Sequence, residues 1–242
     1  MNDDVKAGTQ PLRFGLTQPG PCSYLPGQQE QLVVLMPEQP ISPELYQQLL
    51  NLNFRRSGEQ SYTPHCPACQ ACQSVRINPT LWQPSRSQRR LQNKATRANL
   101  AYRLVTTADI ADYYPLFAAY IAFKHDDGIM YPATEEQLSG MLKCSWLSIR
   151  FLEIYDDQQL VSVSIIDELA DSYSAVYTFF ARQYQQYSPG KLAIMYLLER
   201  ARQDNKAFVY LGYLVEACQK MAYKAEFRPQ QRFIRGHWHS FA

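Results

Sequence analysis

Several features are absent from this sequence, and each absence narrows the classes of protein to consider. No run of 18 apolar residues occurs, so we expect no membrane-spanning helix. The first 20 residues contain no apolar core of the signal-peptide type. We therefore expect a cytoplasmic protein whose six cysteines are free or bound to a metal rather than paired in disulfides. Internal repeats and low-complexity segments are also absent.

Acidic residues are almost missing from residues 51–103, which sets this segment apart. It contains one acid, Glu59, and nine basic side chains, whereas the rest of the chain contains 21 acids and 15 bases. The formal net charge of +2 hides this asymmetry. A localised cationic surface indicates a polyanionic partner, and nucleic acid is the first candidate.

Three cysteines at three-residue spacing lie near the start of this basic segment: Cys66, Cys69 and Cys72. Thiolates at this spacing can turn onto one soft metal centre, either zinc or an iron–sulfur cluster. Cys22 is a candidate fourth ligand, and His65 is a further candidate. A second Cys-x-x-Cys pair is lacking, so free thiols in a tight loop are the alternative interpretation.

Hydrophobic periodicity divides the chain into two predicted parts with a boundary near residue 100. Residues 1–100 are predicted to form a small, basic, cysteine-containing module. Its clearest elements are a helix over 43–52, which begins after Ser42, and a basic helix from about 86 to 98.

Residues 101–242 are predicted to form the larger part. Three consecutive strands precede a turn at 188–191, an amphipathic helix and a further strand at 207–213. This order is typical of GNAT-type acyltransferases and predicts an α+β fold, with a mixed, mostly antiparallel sheet flanked by helices. In that fold, a helix N-terminus binds the phosphates of the acyl carrier. Only Gly190 matches the acetyl-CoA loop, and Pro189 removes a donor, which argues against CoA.

Eight short motifs, taken in order, carry a resemblance to a known family. They occupy residues 21–27, 54–58, 62–77, 84–90, 124–128, 177–180, 210–213 and 220–229. Together they extend over nearly the whole chain and resemble the bacterial aspartate/glutamate leucyltransferases, a branch of the arginyl-tRNA–protein transferase family. Eukaryotic members bind a metal or iron–sulfur cluster through a Cys-x-x-Cys near the N-terminus, and Leu25 stands here where the second of those cysteines would be.

The resemblance implies transfer of leucine from leucyl-tRNA to the α-amine of proteins that begin with Asp or Glu. The product would carry a destabilising N-terminus that directs it to degradation, and the C-terminal part would have a GNAT-like fold. The implied partners are therefore leucyl-tRNA and proteins with an acidic N-terminus, without CoA and without a membrane.

Transfer of this kind is aminolysis of an ester that is already activated, so we expect no cofactor for the chemistry. Holding the amine and the ester together supplies most of the rate, and a weak base and oxyanion donors add to it. Position in the predicted strands and turns gives four candidate catalytic side chains: Asp167, Tyr177, Tyr213 and His125. A turn position for the carboxylate and the histidine, and core packing for the tyrosines, are the structural alternatives.

Recognition of an acidic acceptor requires cations, and arginine offers a two-pronged donor to a carboxylate. The candidate substrate-binding residues are Arg55, Arg56, Arg76, Lys220 and Lys224, of which the two lysines share one helix face if their segment is helical. The predicted basic helix supplies candidate contacts to tRNA phosphates: Arg86, Arg89, Arg90, Lys94 and Arg97. A solvated surface is the alternative for these basic residues.

Other functions remain open from the sequence. The same chemistry could use arginyl-tRNA as donor, or transfer leucine to Lys and Arg N-termini. A zinc-dependent RNA-binding module without catalysis fits the basic segment and the cysteines, but it leaves the second half of the chain unexplained. An acetyl-CoA acyltransferase would need a better phosphate-binding turn.

Overall fold

The structure, a computed structural model, describes residues 11–36, 41–107, 109–126, 128 and 130–242. The strands are β1 (Phe14–Leu16), β2 (Gly20–Pro21), β3 (Gln29–Glu30), β4 (Leu32–Leu35), β5 (Arg55–Ser57), β6 (Gln60–Pro64), β7 (Gln73–Ile77), β8 (Leu100–Val105), β9 (Ser148–Asp156), β10 (Gln159–Glu168), β11 (Ser172–Phe180), β12 (Phe208–Leu214), β13 (Gln230–Ile234) and β14 (His237–Phe241). The α-helices are α1 (Pro43–Asn51), α2 (Arg86–Arg97), α3 (Ile110–Lys124), α4 (Glu135–Leu142), α5 (Pro189–Gln203) and α6 (Gln219–Ala222). Two 3₁₀ turns lie at Arg182–Tyr187 and Tyr223–Glu226.

An eight-stranded sheet forms the centre of the molecule, in the order β14-β13-β7-β12-β11-β10-β9-β8. Only the β11–β12 pair is parallel among its registers, and the other neighbouring strands are antiparallel. Leu152 packs in a cluster with α5, and its neighbour Phe151 packs in a cluster with α3 and α4. Because successive strand residues point to opposite faces, helices cover both faces of the sheet. The predicted α+β architecture is confirmed.

A small sheet, in the order β1-β4-β6-β5, packs with α1 against one end of β12. Leu35 of β4, Leu50 of α1 and Tyr210 of β12 share the buried cluster that joins the two sheets. This packing brings β5, which carries two of the predicted substrate-binding arginines, against the central strands of the large sheet.

Local capping explains where two predicted helices begin. The Ser42 hydroxyl accepts a hydrogen bond from the backbone N–H of Leu45 at 3.1 Å, and Pro43 is the first residue of α1. Ser85 and Gln88 form a reciprocal capping box at the start of α2. The helices predicted over 43–52 and 86–98 are thereby confirmed to within one residue at either end.

The boundary predicted near residue 100 stays a prediction, and elements from before it enter the large sheet and its core. Strand β7 lies between β13 and β12, and Ala95 of α2 belongs to the same buried cluster as α5. Among the described residues, no helix has both the length and the apolar character needed to cross a membrane.

Candidate active site

The pairing of β11 with β12 ends part-way along both strands, and the candidate site lies around the point where they separate. The two strands pair only over residues 172–174 and 208–210. Beyond that point the β11 register skips Val176 and the β12 register skips Leu211, so both strands are bulged where they part. We call the space between them, past residues 174 and 210, the strand gap.

Lys224 places its amine at the strand gap. The residue is 8% exposed, and its Nζ donates a hydrogen bond to the backbone oxygen of Tyr213 at 2.7 Å. A Cβ atom on Gly212 of β12 would lie 3.6 Å from this Nζ and 3.9 Å from the carbonyl oxygen of Ala175 of β11. The glycine, at a φ of +76°, therefore leaves space between the amine and β11 that a side chain would occupy.

Arg55 is a second buried cation in this region, and it is 5% exposed. Its Nη1 donates to the backbone oxygen of Phe54, whereas Nε and Nη2 have no hydrogen-bond partner in the described part of the chain. The guanidinium carbon lies 5.2 Å from the centre of the Tyr210 ring and 5.6 Å from that of Tyr213. The rings stabilise the cation through their faces, but no carboxylate among the described residues neutralises it.

Arg56 and Asp167, both predicted site residues, instead form a fully buried ion pair. Arg56 Nε donates to Asp167 Oδ1 at 2.7 Å, and its Nη2 also contacts that oxygen. The Tyr46 hydroxyl donates to Asp167 Oδ2 at 3.1 Å, so both carboxylate oxygens are engaged. Both charged side chains are 0% exposed. This geometry favours a structural role for the pair over the predicted base and substrate contact, which remain predictions.

Arg76 is also occupied by structural contacts. Its guanidinium lies between the rings of Phe208 and Trp238, 4.0 and 4.1 Å from their centres. Arg76 also donates to Gln231 Oε1 and to Asn51 Oδ1, each at 2.7 Å. The side chain thus joins β7 to β12, β14, β13 and the end of α1, and little of it is left for a substrate.

The two predicted catalytic tyrosines differ in what their hydroxyls contact. Tyr213 donates to the backbone oxygen of Asn53 at 2.8 Å. The buried hydroxyl of Tyr177, on β11 just beyond the bulge, has no hydrogen-bond partner among the residues described. Burial raises the pKa of Tyr177, so its hydroxyl is a neutral donor at pH 7. Its donor capacity is therefore unused by the described residues, and its ring packs against Phe117 and Tyr120 of α3.

His125 and Lys220 lie together at the end of α3. His125 is the C-terminal cap of that helix, with its ring 5.6 Å from the ring of Tyr120, and the motif at 124–128 includes residue 127, which lies outside the described residues. Lys220 is exposed and donates to the backbone oxygen of Lys124 at 3.2 Å. Residues 219–226 are helical, first as α6 and then as a 3₁₀ turn, but Lys220 is exposed whereas Lys224 is buried.

The basic residues of α2 form one exposed face of that helix. At 100° per residue they fall within about 140° of its circumference, opposite the buried Gln88 and Ala95. The members of this basic face are Arg86, Arg89, Arg90, Lys94 and Arg97, all of them exposed. Gln88 Nε2 donates to the backbone oxygen of Glu226 at 3.3 Å, so the start of α2 packs against the 3₁₀ turn that carries Lys224. The face is therefore a candidate nucleic-acid interface next to the strand gap.

All four predicted thiol ligands line one cavity of about 1030 Å³, together with His65 and Tyr213. Cys22 Sγ accepts hydrogen bonds from two backbone N–H groups, those of Tyr24 and Leu25, each at 3.4 Å. Burial, with the other three thiols nearby, raises the pKa of Cys72 to about 12.

The arrangement of these thiols does not by itself form a ligand set for a metal. Within the described ranges, no three His, Cys, Asp or Glu side chains converge so that they could hold an ion. The predicted zinc or iron–sulfur site at Cys22, Cys66, Cys69 and Cys72 therefore stays a prediction, and no chemical step below depends on it.

Sequence reasoning did not identify several residues that shape the site. Tyr46 of α1 completes the contacts of Asp167, and Asn53, at a φ of +73°, accepts the Tyr213 hydroxyl on its backbone oxygen. Buried polar atoms without a described partner also include Gln73 Oε1 and Ser74 Oγ of β7. These contacts join segments that are far apart in the sequence, so no local sequence pattern could identify them.

Comparison with known proteins is consistent across the chain. The family model for the N terminus of arginine-tRNA-protein transferase matches residues 20–90, and the model for its C terminus matches residues 112–234. The aspartate/glutamate leucyltransferase of Aeromonas hydrophila is 44% identical over 94% of each chain. Those of Shewanella oneidensis, over 96% of each chain, and Vibrio parahaemolyticus, over 95% of this chain and 97% of that one, are 41% and 40% identical.

One solved structure supports the fold. The C-terminal domain of an Agrobacterium fabrum protein assigned as a lysylphosphatidylglycerol synthetase superimposes with a TM-score of 0.50 at 13% identity, over 83% of this chain and 64% of that one. The large sheet with its strand gap is thus GNAT-like, as predicted. The chain belongs to the arginine-tRNA–protein transferase family, among relatives that are aspartate/glutamate leucyltransferases.

Proposed function

We propose that the chain transfers leucine from leucyl-tRNA to the α-amine of proteins that begin with Asp or Glu. Its relatives and its GNAT-like fold support this class of reaction. The single observation that carries the choice of acceptor is Arg55, a buried cation without a carboxylate partner among the described residues. The product begins with leucine and is a substrate for degradation in the cytoplasm, where both reactants are made.

Arg55 explains why an acidic N-terminus is accepted. Its open Nε and Nη2 lie on one edge of the guanidinium and can donate to both oxygens of one carboxylate. The burial of Arg55 strengthens such a pair, because little water competes for the charges. A peptide that begins with Lys or Arg would place a like charge beside Arg55, which argues against basic acceptors.

The basic face of α2 is the surface that we assign to tRNA binding. Its five exposed cations can contact successive backbone phosphates without reading bases. The start of α2 packs at Gln88 against the turn that carries Lys224, so this helix adjoins the region of the strand gap.

The chemistry needs few groups because the ester is activated. The incoming amine attacks the leucyl carbonyl carbon, and the ribose oxygen of the tRNA leaves. The Tyr177 hydroxyl, which is buried and without a described partner, is placed to donate to the carbonyl oxygen as negative charge develops there. Positioning of amine and ester supplies most of the rate.

The test is transfer of radiolabelled amino acid from charged tRNA to model peptides. Leucyl-, arginyl- and phenylalanyl-tRNA are each combined with peptides that begin with Asp, Glu, Asn, Lys or Arg. We expect label to move from leucyl-tRNA to the Asp and Glu peptides only, with Asn as the matched neutral control. Transfer from arginyl-tRNA, or to Lys and Arg peptides, would overturn the substrate assignment. Tight tRNA binding without any transfer would favour an RNA-binding module.

A further inference from the structure

Recognition of an acidic side chain by Arg55 does not explain why Lys224 is buried at the strand gap. Its amine is buried at the strand gap, with the Tyr213 backbone oxygen as hydrogen-bond acceptor and Met221 Sδ at 3.9 Å. None of the described carboxylates forms an ion pair with it. Gly212 keeps the space beside the amine free of a side chain.

Among the described residues, the charged and titratable groups that act on this amine come from several elements. Arg55, from β5, contributes a positive charge, while the thiols of Cys218, which precedes α6, and Cys72, which precedes β7, act in the opposite direction. Tyr213 of β12 presents its backbone oxygen. On the same 3₁₀ turn, Glu226 is paired with Lys191 at 2.7 Å, and burial raises the pKa of Tyr223, so that ring is uncharged at pH 7.

Burial and then the charge of Arg55 lower the pKa of Lys224 to about 7. An amine in this environment exists in comparable amounts as base and as cation at neutral pH. A group that exchanges a proton near the working pH is well suited to act as a general base.

We propose that Lys224 accepts the proton of the α-ammonium group of the incoming peptide, an inference that rests on the transferase function proposed above. Arg55 and Lys224 then serve two different groups of the same acceptor. The permanent cation binds the carboxylate of the acidic side chain, and the neutral amine deprotonates the nucleophile. This assigns to Lys224 a role other than the acid binding predicted from the sequence.

The proton balance of the reaction is complete with this assignment. The α-ammonium group gives one proton to Lys224 Nζ and becomes a neutral amine. Its nitrogen forms the new C–N bond to the leucyl carbonyl carbon, and the bond from that carbon to the ribose oxygen breaks. A second proton passes from the attacking nitrogen to the ribose oxygen, and Lys224 releases the first proton to solvent.

The need for such a base follows from the acceptor itself. An α-amino group has a pKa of about 7.7–8.0, so only about a tenth of it is neutral at pH 7 in water. Near Arg55, the charged form is further disfavoured by like charge, which eases transfer of its proton to Lys224. General base catalysis of this kind contributes about 10²- to 10⁴-fold to a rate.

The first experiment compares variants that separate charge from basicity. Lys224→Arg keeps a cation but cannot give up its proton, whereas Lys224→Gln is neutral. Lys143→Arg, at the exposed C-terminal cap of α4, is the matched control. We expect Lys224→Arg to lose about 10²- to 10⁴-fold in kcat at neutral pH, with leucyl-tRNA binding retained, and to recover part of the loss as the pH rises above the pKa of the peptide amine. Near wild-type kcat in Lys224→Arg would overturn the proposal and restore the cationic role.

A second measurement follows titration in the wild-type protein, and a variant is used only to assign the signal. The wild-type protein is labelled with ¹³C at the lysine Cε, and the Lys224 signal is identified by its absence in Lys224→Arg. We expect it to titrate near neutral pH, together with the rise of kcat/KM for Asp peptides. Titration near the ordinary lysine value of about 10.4 would overturn the proposal. Activity of the wild type in the same assay separates this failure from failure of the transferase function.

Discussion

Arg55 and Arg56 are neighbours on one strand, are almost equally buried at 5% and 4% exposure, and have opposite surroundings. Arg56 has a carboxylate, Asp167, in direct contact, and that carboxylate is in turn bound by Tyr46. Arg55 has two aromatic rings and two donor nitrogens without a described partner. The same residue type at the same depth thus forms a buried ion pair in one case and keeps two unused donor nitrogens in the other.

Strand geometry accounts for the difference. Successive side chains of β5 point to opposite faces, so Arg56 reaches β10 while Arg55 reaches β12 next to the strand gap. A buried charge in direct contact with a counter-ion is part of the fold, and loss of one member of the pair leaves the other charge buried without compensation. A buried charge without a partner indicates a site where a ligand supplies it.

The largest effect on stability is expected from removing the carboxylate of the buried Arg56–Asp167 pair. Asp167→Asn leaves Arg56 as a buried charge without a counter-ion, so we expect a loss of about 3–5 kcal/mol in the free energy of unfolding, measured in urea. Glu168→Gln, in the partly exposed pair with Arg150, is the control and should lose at most about 1 kcal/mol. If Asp167→Asn unfolds like the wild type but abolishes transfer, Asp167 is the base predicted from the sequence.

Substitution of the unpaired Arg55 should affect catalysis rather than stability, which is the reverse of the effect expected for Asp167→Asn. We expect Arg55→Met to lower kcat/KM for Asp peptides roughly 30-fold or more, because the substrate carboxylate loses its partner. This corresponds to a loss of about 2 kcal/mol in transition-state stabilisation. The free energy of unfolding should not fall, because no ion pair among the described residues is broken. Arg56→Met is the matched control and should lose stability. Unchanged kcat/KM in Arg55→Met would remove Arg55 from the site.

The buried Lys224 should make the free energy of unfolding depend on pH, which adds a third case to this comparison. Its pKa is lowered to about 7 by burial and by Arg55, so between that pH and about 10.4 the unfolded chain binds the proton that the folded chain has released. The free energy of unfolding of the wild type, relative to that of Lys224→Met, should therefore rise with pH by up to about 1.4 kcal/mol per pH unit in that window. A difference that stays constant or falls with pH would contradict the lowered pKa.

Exposed cations should show the smallest effects. Arg90→Gln on the basic face of α2 should weaken tRNA binding by less than about 1 kcal/mol and reduce the slope of log K against log salt by roughly 1. Peptide KM should not change, because Arg90 is an exposed residue of the basic face and does not belong to the buried surroundings of Arg55. The control is Arg103→Gln, which removes an exposed arginine already paired with Glu153. An equal change of slope in both variants would place the tRNA elsewhere.

The sequence predicts local structure well where the signals are local. Ser85 and Gln88 lie three residues apart, so the start of α2 could be predicted, and alternation of apolar residues predicted β10 and its neighbours. The basic face of α2 follows from the same periodicity. These features depend on residues within a few turns of one another.

The separation of Arg55, Arg56 and Arg76 could not be predicted in the same way. All three are basic residues in one segment and were predicted as equivalent candidates for an acidic substrate. Their surroundings are supplied by Asp167, Tyr213 and Trp238, which lie more than a hundred residues away in the sequence. Pairing of distant strands decides which cation is neutralised, and no local pattern records it.

Strand β7 has a consequence for the order in which this chain can fold. Residues 73–77 lie between β12 and β13, so their hydrogen-bonding partners are synthesised more than a hundred residues later. While the first third of the chain emerges from the ribosome, both edges of β7 therefore lack their native neighbours. Such long-range pairing slows folding, and the early segment needs protection from misassociation until the last strands have been made.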